Sequence, residues 1–245
     1  MMTSDAPFQY AIHIEEGVAF LDLNRPDEGN TLTRGMMAQL SEALKKLGAR
    51  ADVHVIAITA RGSHFCKGRD GRGENAAGLS PYDQRHQLMG PVLGVYETVA
   101  QVPVPVVACV QGPAVGFGGA LAAACDITLM SDAATFAFPE INHNIAPTMA
   151  MTAIRKSVPP KASLYLVYSG ETIGPDLSVT YGLASRVWPA AGFAEESTKF
   201  LKALAAKPRI LLETIKRFQD KSAGLSDEMA SEYAGTLMAL VRSHK

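Results

Sequence analysis

Apolar positions along the chain switch period several times, and each switch predicts a new element. Tyr10 to Ile14 and Val18 to Leu23 are two short strand-like runs around Glu15-Glu16-Gly17, the pattern of a β-hairpin. From there the spacing lengthens, so that Leu32, Met36, Leu40, Leu44 and Leu47 fall on one helical face. Val53 to Ala60, VHVIAITA, reads as a buried strand. Strand, helix and strand in this order predict layered α/β packing rather than a helical bundle.

The polar, glycine-rich stretch HFCKGRDGRG follows, and Asn75 to Ser80 reads as a surface loop. Helical spacing returns over Gln87 to Ala100 through Leu88, Val92, Val95 and Val99. Pro103 and Pro105 confine the start of the next strand, whose best part is Val106 to Val110. A second glycine-rich turn, Gly112 to Gly119, runs into the strong helix formers Ala120 to Ala124, which places its glycines at a helix entrance. Ile127 to Met130 reads as a strand, followed by the short apolar Phe136 to Phe138. Met149 to Lys156 and Ala162 to Tyr168 read as helices, and Gly182 to Trp188 as a turn into a strand. Beyond Pro189 three helices are expected, Phe193 to Ala206, Arg209 to Phe218 and Asp227 to Val241. The last carries an apolar stripe of Met229, Tyr233, Leu237 and Leu240 or Val241. Such a stripe either caps its own core or is buried between subunits. The resulting division is an α/β core over residues 1–190 and a helical region over 191–245.

Composition narrows the class. Apolar residues make up 47% of 245 residues, enough for a core that needs neither metal nor disulfide. Lys and Arg total 23 against 24 Asp and Glu, and no basic run is interleaved with aromatics, which argues against a nucleic-acid partner. A small phosphate-bearing ligand needs only a few cations. The uncharged run Gln101 to Cys125 has the length of a membrane span and a Gly112/Gly116 GxxxG spacing, but prolines and glycines divide it, so a buried soluble segment is expected. Cys66, Cys109 and Cys125 lie in apolar segments without CxxC spacing and read as core thiols of a reducing compartment. The opening MMTSDAPFQYAIHIEEG lacks a secretory pattern, and a cytoplasmic protein is the expectation.

Candidate chemistry lies in the two glycine-rich turns. Gly118 and Gly119 allow close approach of a ligand, while the helix starting beside them aims unpaired amides outward. The N–H of Phe117 and that of Arg69 in CKGRD could converge on one acyl oxygen and favour the charge that an enolate develops there. Either turn alone reads equally as a tight loop, and neither matches a dinucleotide or phosphate-loop fingerprint. Glu140, after Pro139, could move a proton alpha to a carbonyl, or simply orient a loop. His143 and His86 are candidate substrate or acid/base contacts, against ordinary structural roles; no metal-ligand spacing surrounds them. Cys66 beside Lys67 reads as core packing before nucleophile.

NRPDEGNTL at Asn24 to Leu32, FCKGRD at Phe65 to Asp70, VPVPVVACVQGPAVGFGGALAAACD at Val102 to Asp126, FAFPEINHNIAP at Phe136 to Pro147, SGETIG at Ser169 to Gly174 and YGLASRVWP at Tyr181 to Pro189 together carry a family resemblance. In this order and spacing the chain resembles the crotonase, or enoyl-CoA hydratase/isomerase, superfamily over nearly its whole length. The resemblance implies a crotonase-like α/β spiral of repeated ββα units, carboxy-terminal helices used in assembly, and homotrimers often paired into hexamers. It implies an acyl-CoA substrate, in the setting of fatty acid metabolism, with coenzyme A as the acyl carrier and no tightly bound cofactor. The thioester carbonyl would meet the Arg69 and Phe117 amides, and Glu140 would be catalytic. Lys67 and the Arg69 side chain are candidate contacts for CoA phosphates, while Arg25 supports the NRP turn. Leu79, Leu88, Met89, Val92 and Met149 are candidate acyl-pocket residues that could equally be core.

One departure matters. Where the resembling hydratases carry a second glutamate, this chain has Ala120. Alanine cannot hold or protonate water, so the one-glutamate pattern resembles that of the isomerases, and NIAP at Asn144 to Pro147 points the same way. Asp70 or Glu97 could compensate, although Asp70 belongs to the family-like turn and reads first as a hydrogen-bonding residue. A divergent hydratase, another crotonase-like lyase or hydrolase, and a non-enzymatic acyl-CoA-binding assembly protein are the alternatives.

Overall fold

The computed structural model describes residues 10–72 and 76–243. Gly73 of the HFCKGRDGRG stretch, Asn75 of the expected surface loop and the first nine residues lie outside that range; Ala77 to Ser80 are irregular and largely exposed. In chain order the elements are β1 (Tyr10–Glu15), β2 (Val18–Leu23), α1 (Arg34–Gly48), β3 (Val55–Ala60), α2 (Pro81–Asp83), α3 (Gly90–Gln101), β4 (Val106–Val110), β5 (Ala114–Val115), α4 (Phe117–Ala124), β6 (Ile127–Ser131) and β7 (Phe136–Ala137). They continue as α5 (Thr148–Ile154), α6 (Pro160–Ser169), β8 (Thr172–Ile173), α7 (Pro175–Thr180), β9 (Arg186–Trp188), α8 (Phe193–Ala205), α9 (Arg209–Ser222) and α10 (Asp227–Ser243).

The main sheet has the order β1-β2-β3-β4-β6-β9; β1 pairs antiparallel with β2 as the hairpin pattern predicts, and every later pairing is parallel. A parallel sheet needs cover on both faces, and alternation along its strands supplies it. Leu21, Ile56, Ile58, Ala108 and Val110 join the core under α1, α3 and α4, whereas Phe20, Val55, Ala57, Val107 and Cys109 face Phe193, Leu201 and Ala205 of α8. A second sheet of order β5-β7-β8 is extended by isolated bridges between Cys66 and Ala114 and between Leu32 and Arg69. From β2 to α5 the chain gives one strand or bridge to each sheet before its helix, which is the ββα spiral, while β8 and β9 fall outside that alternation. Among the described residues no helix is long and apolar enough to cross a membrane, and the run from Gln101 holds the fully buried β4.

Local chemistry fixes the boundaries. The Thr33 hydroxyl accepts from the Met36 amide and starts α1. The helical run toward α3 begins at Pro81, earlier than the spacing suggests, and passes through a π-helical stretch over Gln84–Met89. Pro91 accounts for the widening: it has no N–H for the Gln87 carbonyl and its ring would crowd it.

One polar device ties the carboxy-terminal helices to the sheet. Lys216 on α9 is 9% exposed and donates to the carbonyls of Val99 and Val104 at 2.8 and 3.1 Å and to Asp126 Oδ2 at 2.8 Å. Asp126 in turn accepts the Val106 amide at the head of β4. Lys216→Met is expected to lower unfolding free energy by about 2–3 kcal/mol, below the range for a fully buried pair because Asp126 is partly solvated. Urea titration at fixed protein concentration measures it, and an unchanged midpoint would deny the network a structural role.

Candidate active site

Two turns and one short 3₁₀ segment converge on a cavity of about 350 Å³. The first turn is strung between neighbours on both sides. Lys67 N donates to Gly29 O, Leu32 N to Gly68 O and Asp70 N to Leu32 O, while Val115 N donates to Cys66 O. In such a parallel bridge the partner strand takes the groups flanking Arg69, so Arg69's own amide turns to the other side, where Arg69 lines the cavity. Gly68 has φ +114°, and a Cβ there would stand 3.1 Å from Val115 O and 3.9 Å from Phe117 N. Behind this turn, buried Asn30 donates to the carbonyls of Arg61 and His64 and accepts from Arg25 N, fixing the NRPDEGN segment. The Arg25 guanidinium reaches Thr31 O and Glu28, in keeping with support of that turn.

The second turn brings Gly116 to φ +53°, ψ −117°, a conformation that only glycine adopts without strain, and α4 starts at Phe117. The helix thus begins three residues before the Ala120 start that propensity favours. Gly118 is the reason: a Cβ there would lie 2.1 Å from the Cys66 carbonyl, so the first turn of α4 rests directly on the first glycine-rich turn. The opening amides of α4 have no intrahelical acceptor, and Phe117 lines the cavity.

Glu140 lies in the 3₁₀ segment Pro139–His143, closed by Asn144 at φ +57° and by Ile145 N donating to Glu140 O. Its carboxylate packs over the second turn, where a Cβ on Gly116 would meet Oε1 at 2.9 Å. Oε2 is buried and has no hydrogen-bond partner among the described residues. Burial, the largest influence, raises the Glu140 carboxyl above the ordinary glutamate range, with its own backbone hydrogen bond and the nearby His143 pulling the other way.

The other candidates separate spatially. Lys67, Arg69, His143, Val92 and Met149 line the cavity; Leu79, Leu88, Met89, Glu97 and His86 are outside its lining. His86 is exposed, with Nδ1 2.8 Å from Tyr82 O and its ring against the Tyr82 ring. Asp70 is also outside. It is buried and clamped by Arg72 through Nε at 2.9 Å and Nη2 at 2.6 Å, with Arg25 at 3.7 Å; the Arg72 hydrogen bond holds its carboxyl down at about 2. Ala120 is fully buried in the apolar cluster. The thiols are core groups, Cys66 and Cys109 pushed up to about 12 by burial.

Tyr96 escaped the sequence reading. It lies on α3, lines the cavity, and stacks on the Phe117 ring with centroids 5.8 Å apart. Its place four residues after Val92 was the available signal, since both then share a helix face.

Comparison with known proteins identifies the family. The family model described as enoyl-CoA hydratase/isomerase matches residues 13–241. The chain is 30% identical over 195 residues to the enoyl-CoA hydratase domain-containing protein 3, mitochondrial, of Rattus norvegicus, a match covering 80% of this chain and 64% of that protein. With a putative enoyl-CoA hydratase of Thermus thermophilus it shares 28% identity, covering 94% and 92% of the two chains. The crystal structure of a Mycobacterium smegmatis enoyl-CoA hydratase superposes with a TM-score of 0.88 at 30% identity, over 96% of this chain and 90% of the other.

Proposed function

The chain belongs to the enoyl-CoA hydratase/isomerase family, and from that premise we propose that it moves the double bond of a 3-enoyl-CoA into conjugation with the thioester, using Glu140 as the proton carrier. The thioester oxygen sits against the Arg69 and Phe117 amides, with α4's amino-terminal dipole behind the second. Glu140 takes a C2 proton, and the electron pair of that C–H bond spreads over the carbonyl and the existing double bond as a dienolate. The two amides bind this charge more strongly than the neutral carbonyl, which lowers the barrier. Glu140 then returns its proton at C4, leaving the double bond between C2 and C3. No atom is gained or lost.

The observation that carries this reading is that Glu140 is the carboxylate in the described cavity lining, poised over the turn that holds Phe117. Ala120 offers no second acid, and Asp70 and Glu97 are directed elsewhere. Exposed Lys67 and Arg69 are suited to the phosphates of CoA. Assembly through the carboxy-terminal helices fits the same reading, because Ile215, Met229 and Met238 are left exposed at 68%, 58% and 52%; a homotrimer or hexamer is proposed.

A divergent hydratase is the second reading, favoured by relatives that are named as enoyl-CoA hydratases. Incubation with matched 3-enoyl-CoA and 2-enoyl-CoA separates them by product. Conjugated 2-enoyl-CoA formed from the 3-enoyl substrate is expected. Water addition to the 2-enoyl substrate without double-bond migration would replace isomerisation by hydration.

A further inference from the structure

Tyr96 is 7% exposed, no hydrogen bond joins its hydroxyl to a described residue, and the hydroxyl is not one of the fully buried unpaired atoms, so it opens on the cavity. The ring is held by its stack on Phe117, and the residue lines the cavity together with Val92 one helical turn before it. A phenylalanine would fill the same volume and keep the same stack. A hydroxyl that opens on a ligand cavity without a protein partner loses its access to water when the cavity fills, so its pairing then falls to a polar group on the ligand. Glu140 faces the same space and its negative charge, after burial, helps keep the phenol protonated, so the group is a donor throughout the working pH range.

We propose that Tyr96 is a specificity-determining residue whose hydroxyl donates a hydrogen bond to an oxygen on the acyl group beyond the thioester carbonyl, so that the site favours oxygen-bearing acyl chains over plain hydrocarbon ones. The inference rests on the acyl thioester occupying this cavity, as in the proposed function, but not on which reaction follows. Apolar neighbours accept either chain, whereas the hydroxyl distinguishes them by pairing with only one.

Binding of unreactive saturated ligands tests it without turnover. Hexanoyl-CoA and its 3-, 4- and 5-hydroxy analogues are titrated calorimetrically into wild type and Tyr96→Phe. At least one hydroxy analogue is expected to bind about five- to tenfold more tightly than hexanoyl-CoA to wild type, the worth of one hydrogen bond. Tyr96→Phe should abolish that preference while hexanoyl-CoA affinity stays within about twofold, which also reports an intact site. Equal affinities in wild type, or a preference that survives in Tyr96→Phe, would overturn the proposal. Absence of any acyl-CoA binding would remove the shared premise and this inference with it, whereas a preserved binding preference without double-bond migration would remove the isomerase reading alone.

Discussion

Glu140→Gln is expected to lower kcat for double-bond migration by about 10³-fold, the scale of a lost general acid–base, with little change in affinity for acyl-CoA. Glutamine keeps the shape of the side chain that packs over Gly116 but can neither take nor return the C2 proton. Normal turnover by this variant would refute the assignment. The same substitution has an opposite effect on stability. Because burial raises the Glu140 carboxyl in the folded chain, the stability it contributes is fully present below its unfolded value near 4.5 and is lost as pH rises through the raised folded value. Glu140→Gln removes this dependence, so the variant should be the more stable protein at neutral pH, with the gap closing in acid. Catalysis runs the other way: wild-type activity requires the ionised base and should fall as pH drops through that raised value. Denaturation midpoints and kcat/KM profiles across acid pH check both signs.

Gly118→Ala is expected to be the most damaging of the small substitutions. The added carbon would meet the Cys66 carbonyl at 2.1 Å and the Cys66 Cβ at 2.7 Å, and neither is the loose end of a flexible side chain. Relief requires α4 to withdraw from the first turn, which separates Phe117 from Arg69. A stability loss of about 3 kcal/mol or more follows from the overpacking. In whatever fraction folds, kcat should drop about 10²–10³-fold, the measured scale for losing one oxyanion donor. Gly94→Ala in α3 is the matched control, since a Cβ there meets nothing within 4 Å. It should gain about 0.5–1 kcal/mol from reduced chain entropy and leave kcat unchanged. Equal behaviour of the two variants in thermal melts would mean that the contact between the turns is not what holds the site together.

What the sequence by itself determined was whatever repeats along the chain or rests on single-residue chemistry. The short apolar run Val18–Leu23 and the stripe through Met36, Leu40 and Leu44 place β2 and α1 because a short buried strand and a one-faced helix are both written in local spacing. Proline and glycine marked the breaks around β4, and the ordered family motifs indicated the spiral. Glu140 was legible as an acid following a proline at the start of a turn.

Tertiary structure decided the rest. Two-residue strands such as β5, β7 and β8 have no period to detect and exist only through pairing. Gly118 and Gly119 sit inside α4 against their helix propensity, because close contact of the first with the Cys66 backbone and of the second with Ala114 O and the Phe138 ring outweighs the roughly 1 kcal/mol each glycine costs. His143 and His86 are alike as residue types, yet only the first lines the cavity, since 3₁₀ and π geometry turn their side chains to different surroundings. Lys216 is one more helix charge in the sequence until Val99, Val104 and Asp126, all distant along the chain, bury it. Tyr96 becomes informative only when α3 packs its ring on Phe117 and sets it in the cavity lining, because a side chain's neighbours are a property of the fold and not of a residue.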